Sequence, residues 1–131
     1  MIRKTEKKDL RRIERLLKTE GGFWDKDWRK DVIKIAINSP SSISYVFERD
    51  GKILGFVCAH DLGFRSYLSE IMVFPDERGK GIGKKLLQEV QAELKKRKCK
   101  ILISDVWKSS IGFYKSLGWN RPNAVLLGKK L

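Results

Sequence analysis

The spacing of apolar side chains separates helical segments of the chain from extended ones. Two N-terminal groups follow helical spacing, namely Leu10, Ile13, Leu16 and Leu17, then Trp28, Val32, Ile35 and Ala36. Thr5 is the expected N-cap of the first helix, which Gly21-Gly22 ends. Asp25 or Asp27 caps the second helix, which stops before residues 38–40, Asn-Ser-Pro. The pattern predicts two successive helices.

The pattern then changes to that of strands. Residues 43–48 alternate between apolar and polar types, residues 53–59 are more uniformly apolar, and Asp50-Gly51 between them favours a type I′ hairpin turn. Further strands are expected at residues 2–4, 67–74, 100–106 and 124–131. The continuous apolar run at 100–106 predicts a central strand that is buried on both faces.

Helical spacing returns at Ile82 and continues to Leu94, and Ser109 or Ser110 caps a short helix that Gly118 closes. The element order is β-α-α-β-β-β-α-β-α-β, in one domain over residues 1–131. The strands on either side of the Ile82 helix should be parallel, because a helix crosses between them, and the earlier meander should be antiparallel. We expect an α+β fold with a mixed, mostly antiparallel sheet and helices on both faces.

The chain is strongly basic, with 29 Lys and Arg against 16 Asp and Glu and a formal net charge of +13. Such a field attracts anions from nucleotides to nucleic acids, so charge alone identifies no partner. No apolar run is as long as a membrane span and no signal peptide follows Met1, so we expect a cytoplasmic protein without a membrane partner. One histidine and two separated cysteines, Cys58 and Cys99, argue against a metal site.

Residues 75–85, Pro-Asp-Glu-Arg-Gly-Lys-Gly-Ile-Gly-Lys-Lys, lie between a strand and the third helix. Glycine lets the backbone approach a ligand closely and turn with positive φ. The first N–H groups of a helix have no partner within the helix, and they favour an anion. Four cations, Arg78, Lys80, Lys84 and Lys85, surround these groups. The segment predicts a phosphate or pyrophosphate site, since a simple tight turn would not need three glycines and four cations.

Spacing excludes two common phosphate loops. A P-loop requires glycine at position 78 and a hydroxyl residue at position 85, whereas this chain has Arg78 and Lys85. A dinucleotide fingerprint that starts at Gly79 requires glycine or alanine where Lys84 stands. The pattern that remains is Arg-x-x-Gly-x-Gly over residues 78–83.

This pattern resembles the coenzyme A loop of the GNAT superfamily of N-acetyltransferases. The early helix pair, the strand ending in Ile-Met-Val-Phe-Pro at 71–75 and the run Phe-Tyr-Lys-Ser-Leu-Gly-Trp at 113–119 extend the resemblance over nearly the whole chain. Trp119 stands where the family commonly has Phe. The resemblance implies an enzyme that moves the acetyl group of acetyl-CoA directly to a primary amine without a metal, and that forms a homodimer in many relatives.

The resemblance also implies roles for single residues. The residues that would contact the cosubstrate are Met72, Val73, Arg78, Gly79, Lys80, Gly81, Ile82, Gly83 and Lys84. Their backbone N–H groups would hold the pyrophosphate, and that of Val73 would contact the pantetheine arm or stabilise the oxyanion. Tyr114 matches the residue that protonates the departing thiolate. Glu70 interrupts an apolar strand and is the candidate base for the amine, with ion pairing or orientation of a cationic substrate as alternatives.

One position departs from the family pattern, and the role of one aromatic group stays open. Trp107 stands where many relatives carry an asparagine that contacts the pantetheine arm, and Ser109 or Ser110 could supply that contact. Three aromatic residues would line the acceptor pocket, or else pack in the core, namely Phe23, Trp24 and Trp28.

Two other functions stay open on the sequence alone. A basic nucleic-acid-binding module would use the charge, although no RNA-binding aromatic motif, zinc finger or clear helix-turn-helix accompanies it. A catalytically silent CoA-binding domain would keep residues 78–83 and lack turnover. The sequence does not specify the acceptor amine.

Overall fold

A computed structural model describes residues 1–131. The helices are α1 (Leu10–Leu17), α2 (Val32–Asn38), α3 (Ile82–Lys96) and α4 (Ile111–Ser116). The strands are β1 (Ile2–Lys4), β2 (Ser42–Arg49), β3 (Lys52–Asp61), β4 (Ser66–Val73) and β5 (Leu102–Ile103). Short 3₁₀ turns precede α1, α3 and α4. None of the helices combines the length and the apolar character that crossing a membrane requires.

The five strands form one sheet in the order β1-β2-β3-β4-β5. All neighbours are antiparallel except β4 and β5, which are parallel and are connected through α3. Asp50 and Gly51 both have positive φ, 52° and 75°, as a type I′ hairpin turn requires. The predicted α+β class, the mixed sheet and the β2–β3 hairpin are confirmed.

The sheet is covered on both faces, as predicted. Neighbouring residues of β3 point to opposite faces, so that Phe56 packs with α1 and α2 while Val57 packs with α3 and α4. Gly55 lies directly under the start of α3. A methyl group at this position would come within 2.9 Å of side-chain atoms of both Ile82 and Leu86. The absence of a side chain at Gly55 therefore lets α3 begin close against the sheet.

A buried ion cluster fixes β1 and α1 against β2. The Asp9 carboxylate is fully buried and accepts hydrogen bonds from Arg3 at 2.8 and 2.9 Å and from Arg12 at 2.7 Å. Glu48 of β2 accepts from the same two guanidinium groups at 3.1 and 2.7 Å. The hydrogen bonds from Arg3 lower the pKa of Asp9 to about 2. Each charge of the cluster is compensated, which is the condition for burying an ion at moderate cost.

The predictions of the last two strands are wrong, each in a different way. The apolar run at 100–106 forms only the two-residue strand β5 at the sheet edge, where Ile101 is 51% exposed, rather than a central buried strand. Residues 124–131 form no strand, and Val125 and Leu127 are 82% and 88% exposed. Apolar and β-branched residues give these segments strand propensity, but a strand also needs a neighbour with which to pair. The observed order therefore lacks the final strand.

The first two helices are shorter than predicted. α1 ends at Leu17 rather than at the glycine pair, and α2 begins at Val32. Residues 18–31 between them contain turns and carry the aromatic cluster of Phe23, Trp24 and Trp28. Its rings pack edge to face, with centroids 6.2 Å apart for Phe23 and Trp28 and 5.4 Å apart for Trp24 and Trp28. Turns and edge-to-face aromatic packing therefore occupy this segment where helix was predicted.

Candidate active site

A tight glycine loop connects β4 to α3. After a 3₁₀ turn at Pro75–Glu77, Gly79 and Gly81 have φ of 79° and 87°, and Gly81 is the residue immediately before the helix. Other residues rarely adopt this conformation, so the loop requires glycine at both positions. A methyl group at either glycine would meet no atom within 4 Å. The loop therefore borders open space in which a ligand can reach the backbone.

The backbone at the start of α3 offers unpaired donors. The first hydrogen bond back into the loop runs from the Lys85 N–H to the Gly81 carbonyl at 3.0 Å. The N–H groups of residues 82–84 donate to no group within the chain. Together with the helix dipole they form an anion site, and this arrangement fits a pyrophosphate.

The cations around the loop differ in their availability. Lys80 lies 3.2 Å from Glu77, which also pairs with Arg49. Lys84 and Lys85 form no ion pair within the chain and are exposed. Their charges at a helix N-terminus repel the dipole, so a bound anion would relieve that repulsion.

The third glycine of the loop joins the two sequence motifs physically. A methyl group at Gly83 would lie 3.3 Å from the Phe113 ring and 3.6 Å from a methyl carbon of Val73. The start of α3, the end of β4 and the start of α4 therefore meet at one close contact. The glycine loop and the Phe113–Trp119 run are therefore in direct contact in the folded chain.

An open strand edge lies beside the loop. β5 pairs with β4 only at Ser66 and Tyr67, so the outer edge of β4 at 69–73 has no strand partner. A cleft of about 590 Å³ runs along this edge, from the glycine loop to the start of α4. Unpaired N–H and C=O groups of a strand edge bind an extended ligand that carries amides of its own.

A β-bulge aims Glu70 at one side of this cleft. Cys58 lies opposite Glu70 while the next residue of β3 lies opposite Leu68, so Ser69 is an extra residue without a partner. Leu68 packs on the α3 face of the sheet, whereas Met72 and Cys58 pack on the α1–α2 face. The bulge thus moves the side chain at position 70 to the α1–α2 face, where the aromatic cluster lies.

Glu70 is the one partly buried acidic residue that has no basic partner. Every other Asp or Glu either forms an ion pair or is exposed to solvent, in a chain with an excess of cations. Burial, and secondarily the charge of Asp105, raise the pKa of Glu70 to about 7. A carboxylate with such a pKa can accept a proton near neutral pH.

The structure adds Asp105, which the sequence analysis missed. Asp105 follows β5, lines the cleft and accepts a hydrogen bond from the Tyr67 hydroxyl. Its charge acts on both Glu70 and Tyr114 and raises the pKa of each. The signal in the sequence is a carboxylate that interrupts a predicted apolar strand, 100–106 for Asp105, as it does for Glu70.

Tyr114 points its ring into the core and leaves its hydroxyl unpaired. It is 8% exposed, and its ring packs edge to face against Phe113 and Trp119, with both centroid distances 5.2 Å. The hydroxyl forms no hydrogen bond within the chain, and the residue lines the cleft. Burial and then the charge of Asp105 raise the pKa of Tyr114 above its ordinary value of 10, so the phenol keeps its proton.

Comparison with known proteins identifies the family. Residues 8–119 match the sequence model of the acetyltransferase (GNAT) family. The chain belongs to the GNAT family. An acetyltransferase of Yersinia pestis is 28% identical over 102 residues, which cover 76% of this chain and 72% of the relative. An acetyltransferase of Yersinia enterocolitica is similar to the same extent.

Solved structures confirm the GNAT fold. The aminoglycoside N-acetyltransferase AAC(6')-Iy, in complex with a bisubstrate analogue, superposes with a TM-score of 0.83 at 22% identity, covering 100% of this chain and 97% of that one. The ribosomal-protein-S18-alanine N-acetyltransferase of Escherichia coli superposes with a TM-score of 0.78 at 23% identity. The match covers 94% of this chain and 79% of that one. The predicted acetyl-CoA-dependent N-acetyltransferase class is confirmed by the family.

The GNAT cleft brings together most of the predicted site residues. Those that line it are Phe23, Glu70, Met72, Val73, Arg78, Gly79, Gly81, Ile82, Gly83, Lys84, Ser109 and Tyr114. The side chain of Ile82 also belongs to the core. Lys80, Trp24 and Trp28 do not line the cleft, and the two tryptophans pack behind Phe23. Trp107 lies across from Phe23, with ring centroids 6.0 Å apart, so an aromatic pair borders the cleft.

Arg78 links the two sides of the GNAT cleft. Its Nε donates to the Val73 carbonyl at 3.0 Å, and its terminal nitrogen lies 3.0 Å from the Glu20 carboxylate. Val73 ends β4, whereas Glu20 belongs to the segment that carries Phe23. Arg78 is therefore held by backbone and carboxylate rather than left free for an anion.

Proposed function

We propose that this cleft transfers the acetyl group of acetyl-CoA directly to a primary amine, with Glu70 as the base and Tyr114 as the acid. The observation that carries the proposal is the unpaired, partly buried Glu70 in the same cleft as the glycine loop and the free Tyr114 hydroxyl. Both side chains lie in a single open space beside the unpaired edge of β4.

The donor side of the cleft is formed by backbone more than by side chains. Acetyl-CoA supplies an activated acetyl thioester. The N–H groups of residues 79–84 would hold its pyrophosphate, and the edge of β4 at Met72 and Val73 would pair with the amides of its pantetheine arm. Ser109, at the other wall of the cleft, would offer a hydroxyl in place of the asparagine amide that many relatives carry at the position of Trp107.

The proposed chemistry needs one proton acceptor and one proton donor. An alkyl ammonium has a pKa of about 10, so Glu70 accepts a proton from it, directly or through water, before its nitrogen forms a bond to the acyl carbon. The Val73 N–H stabilises the oxygen that becomes negative in this step. Tyr114 then donates its proton to the sulfur as the carbon–sulfur bond breaks. The second proton that the attacking nitrogen loses on becoming an amide returns to the Tyr114 oxygen, and the proton on Glu70 is released to solvent.

The acceptor side favours a cationic amine. Glu70 and Asp105 are two carboxylates without basic partners in a chain of net charge +13, and Phe23 and Trp107 border them. We infer an acceptor that enters as an ammonium ion and carries apolar surface beside its amine. Small amines and peptide N-termini both satisfy this description.

Release of free thiol from acetyl-CoA tests the proposal. The full chain would be screened against amines, polyamines, aminoglycosides, amino acids and peptide N-termini, with acetyl-CoA alone as the background. Thiol release that depends on an acceptor, with an acetylated product in the mass spectrum, is the expected result. Binding of CoA without turnover on any acceptor would favour a catalytically silent domain.

The nucleic-acid alternative makes an opposite prediction. A module of that kind would bind nucleic acid with an affinity that falls steeply with salt, and it would not bind CoA. The predicted homodimer and the predicted cytoplasmic location stay predictions.

A further inference from the structure

Two aromatic rings meet across the cleft on its acceptor side. Phe23 belongs to the segment between α1 and α2, whereas Trp107 follows β5. Both residues line the cleft, and their ring centroids lie 6.0 Å apart with the ring planes inclined at 61°. Rings at this distance and angle are in edge-to-face contact. The contact therefore bridges the cleft, and it does so close to Asp105, which precedes Trp107 by two residues.

The two rings are supported by different parts of the core. Phe23 packs against the core between the sheet and the first two helices, and its ring lies edge to face with Trp28. Trp107 follows Val106, which packs against the core under α3. The Trp107 carbonyl also accepts a hydrogen bond from the Ser110 N–H at 2.8 Å. The contact across the cleft thus depends on both supports, and loss of either ring would open it.

The groups next to this contact discriminate between substituents on the carbon that carries the amine. Glu70 and Asp105 line the same space and have no basic partner. A carboxylate on that carbon, as in a free amino acid, would be repelled by two negative charges. A carboxamide there, as in a peptide N-terminus, would lose water and gain from the two rings at most the indole N–H of Trp107. A methylene carbon without a branch has no polar group to satisfy.

We propose that the contact between Phe23 and Trp107 is a selectivity gate, which admits a primary amine on an unbranched alkyl chain and discriminates against a polar branch beside the amine. The inference rests on the acetyl transfer proposed above and narrows its acceptor to alkylamines. Aromatic faces attract an ammonium ion and pack against methylene groups. Trp107 replaces the asparagine of many relatives, so the gate would distinguish this chain from those relatives.

A matched pair of amines tests the gate. Phenethylamine and phenylalaninamide differ only by one carboxamide on the carbon that carries the amine. The full chain at saturating acetyl-CoA should give a higher kcat/KM with phenethylamine, and phenylalanine should be the poorest acceptor of the three. The preference is compared between variants and wild type, because this comparison cancels the intrinsic reactivity of each amine.

Removal of either ring should weaken the preference. Phe23→Ala and Trp107→Ala should each lower the ratio of the two kcat/KM values by about tenfold, because a carboxamide could then keep its water. The double variant should lower it little further, since each single variant already opens the same contact. Phe64→Ala is the control, because it removes a ring that is 99% exposed and does not line the cleft. Circular dichroism verifies folding, and Phe23→Leu replaces Phe23→Ala if the alanine variant does not fold.

The possible results separate the gate from the reaction. An unchanged preference in both single variants would overturn the gate and leave the proposed transfer intact. Additive effects of the two substitutions would overturn it equally, because the rings would then act independently. A loss of CoA affinity in Trp107→Ala, measured by calorimetry, together with an unchanged preference would assign Trp107 to the cosubstrate instead. Absence of turnover with every amine would overturn the transfer, and the gate with it.

Discussion

Replacement of Glu70 by glutamine should make the protein more stable at alkaline pH. Burial and the nearby Asp105 raise the pKa of Glu70 from 4.5 to about 7. The folded chain therefore holds a proton that the unfolded chain releases at lower pH. Stability is lost as the pH rises from about 4.5 to about 7, and the full cost is present above that range. Glutamine has nearly the same shape and cannot ionise, so the variant avoids this cost.

The size of the effect follows from the pKa. One pKa unit corresponds to about 1.36 kcal/mol, so a rise from 4.5 to about 7 would correspond to about 3 kcal/mol. Glu70 borders an open cleft, and water there screens part of the penalty. We expect Glu70→Gln to exceed the wild type by about 1–2 kcal/mol in free energy of unfolding at pH 8.5, and to differ little at pH 5.

Urea unfolding, followed by tryptophan fluorescence at pH 5 and pH 8.5, measures this difference. The comparison of variant with wild type at each pH removes contributions from all other titrating groups. Glu89→Gln is the control, because Glu89 is an exposed carboxylate of α3 without an ion pair. A difference between Glu70→Gln and the wild type that is the same at both pH values would refute the argument that burial in the cleft raises the pKa of Glu70.

Four further predictions address the site and the fold. Asp105→Asn removes a negative neighbour and should lower the pKa of Glu70, which shifts the acidic limb of the pH–rate profile to lower pH. Tyr114→Phe should lower kcat by about 100-fold and preserve the Kd of CoA, because it removes only a proton donor. Gly81→Ala should weaken CoA binding measured by calorimetry, because alanine resists a φ of 87°. Asp9→Asn should lower the free energy of unfolding by about 3 kcal/mol at pH 7, as measured by urea titration. The difference from wild type should shrink as the pH falls from about 4 to about 2, because the wild-type carboxylate becomes protonated in that range.

Each of these predictions has a control or a contradicting result. Gly51→Ala places the same strain in a turn far from the cleft, so equal losses of CoA affinity at both glycines would argue against a role of the loop backbone. An unchanged kcat in Tyr114→Phe excludes Tyr114 as the acid. An acidic limb that stays in place in Asp105→Asn would show that Asp105 does not influence the base. Equal stability of Asp9→Asn and wild type at pH 7 would contradict the importance of the buried ion cluster.

The parts of the fold that the sequence predicted are those that depend on local chemistry. Helical spacing in α3 and the demand for positive φ at Asp50-Gly51 are properties of neighbouring residues, and both segments formed as expected. The length of β5 and the fate of residues 124–131 depend on whether a partner strand lies alongside. Side-chain hydrophobicity at a position does not report that, so these two segments were predicted incorrectly.

The candidate site also has features that the sequence could predict and features that only the folded chain shows. The glycine loop could be predicted because its residues are contiguous. Its fit with the second motif depends on the contact of Gly83 with Phe113, which only the folded chain shows. The bulge at Ser69 leaves no compositional trace, yet it decides the face to which Glu70 points. Asp105 joins the site through the parallel pairing of β4 and β5, although it lies 35 positions after Glu70 in the chain.

The two contacts of Arg78 have a thermodynamic consequence for the affinities of donor and acceptor. One guanidinium holds both the end of β4 and Glu20, whose segment carries Phe23. A pyrophosphate that attracts Arg78 away from Glu20 would change the restraint on that segment, and thus the affinity of the cleft for an amine. Such coupling is reciprocal, so an amine must change the affinity for CoA by the same factor. Donor and acceptor would then bind as linked ligands, although no side chain of the cleft needs to touch both.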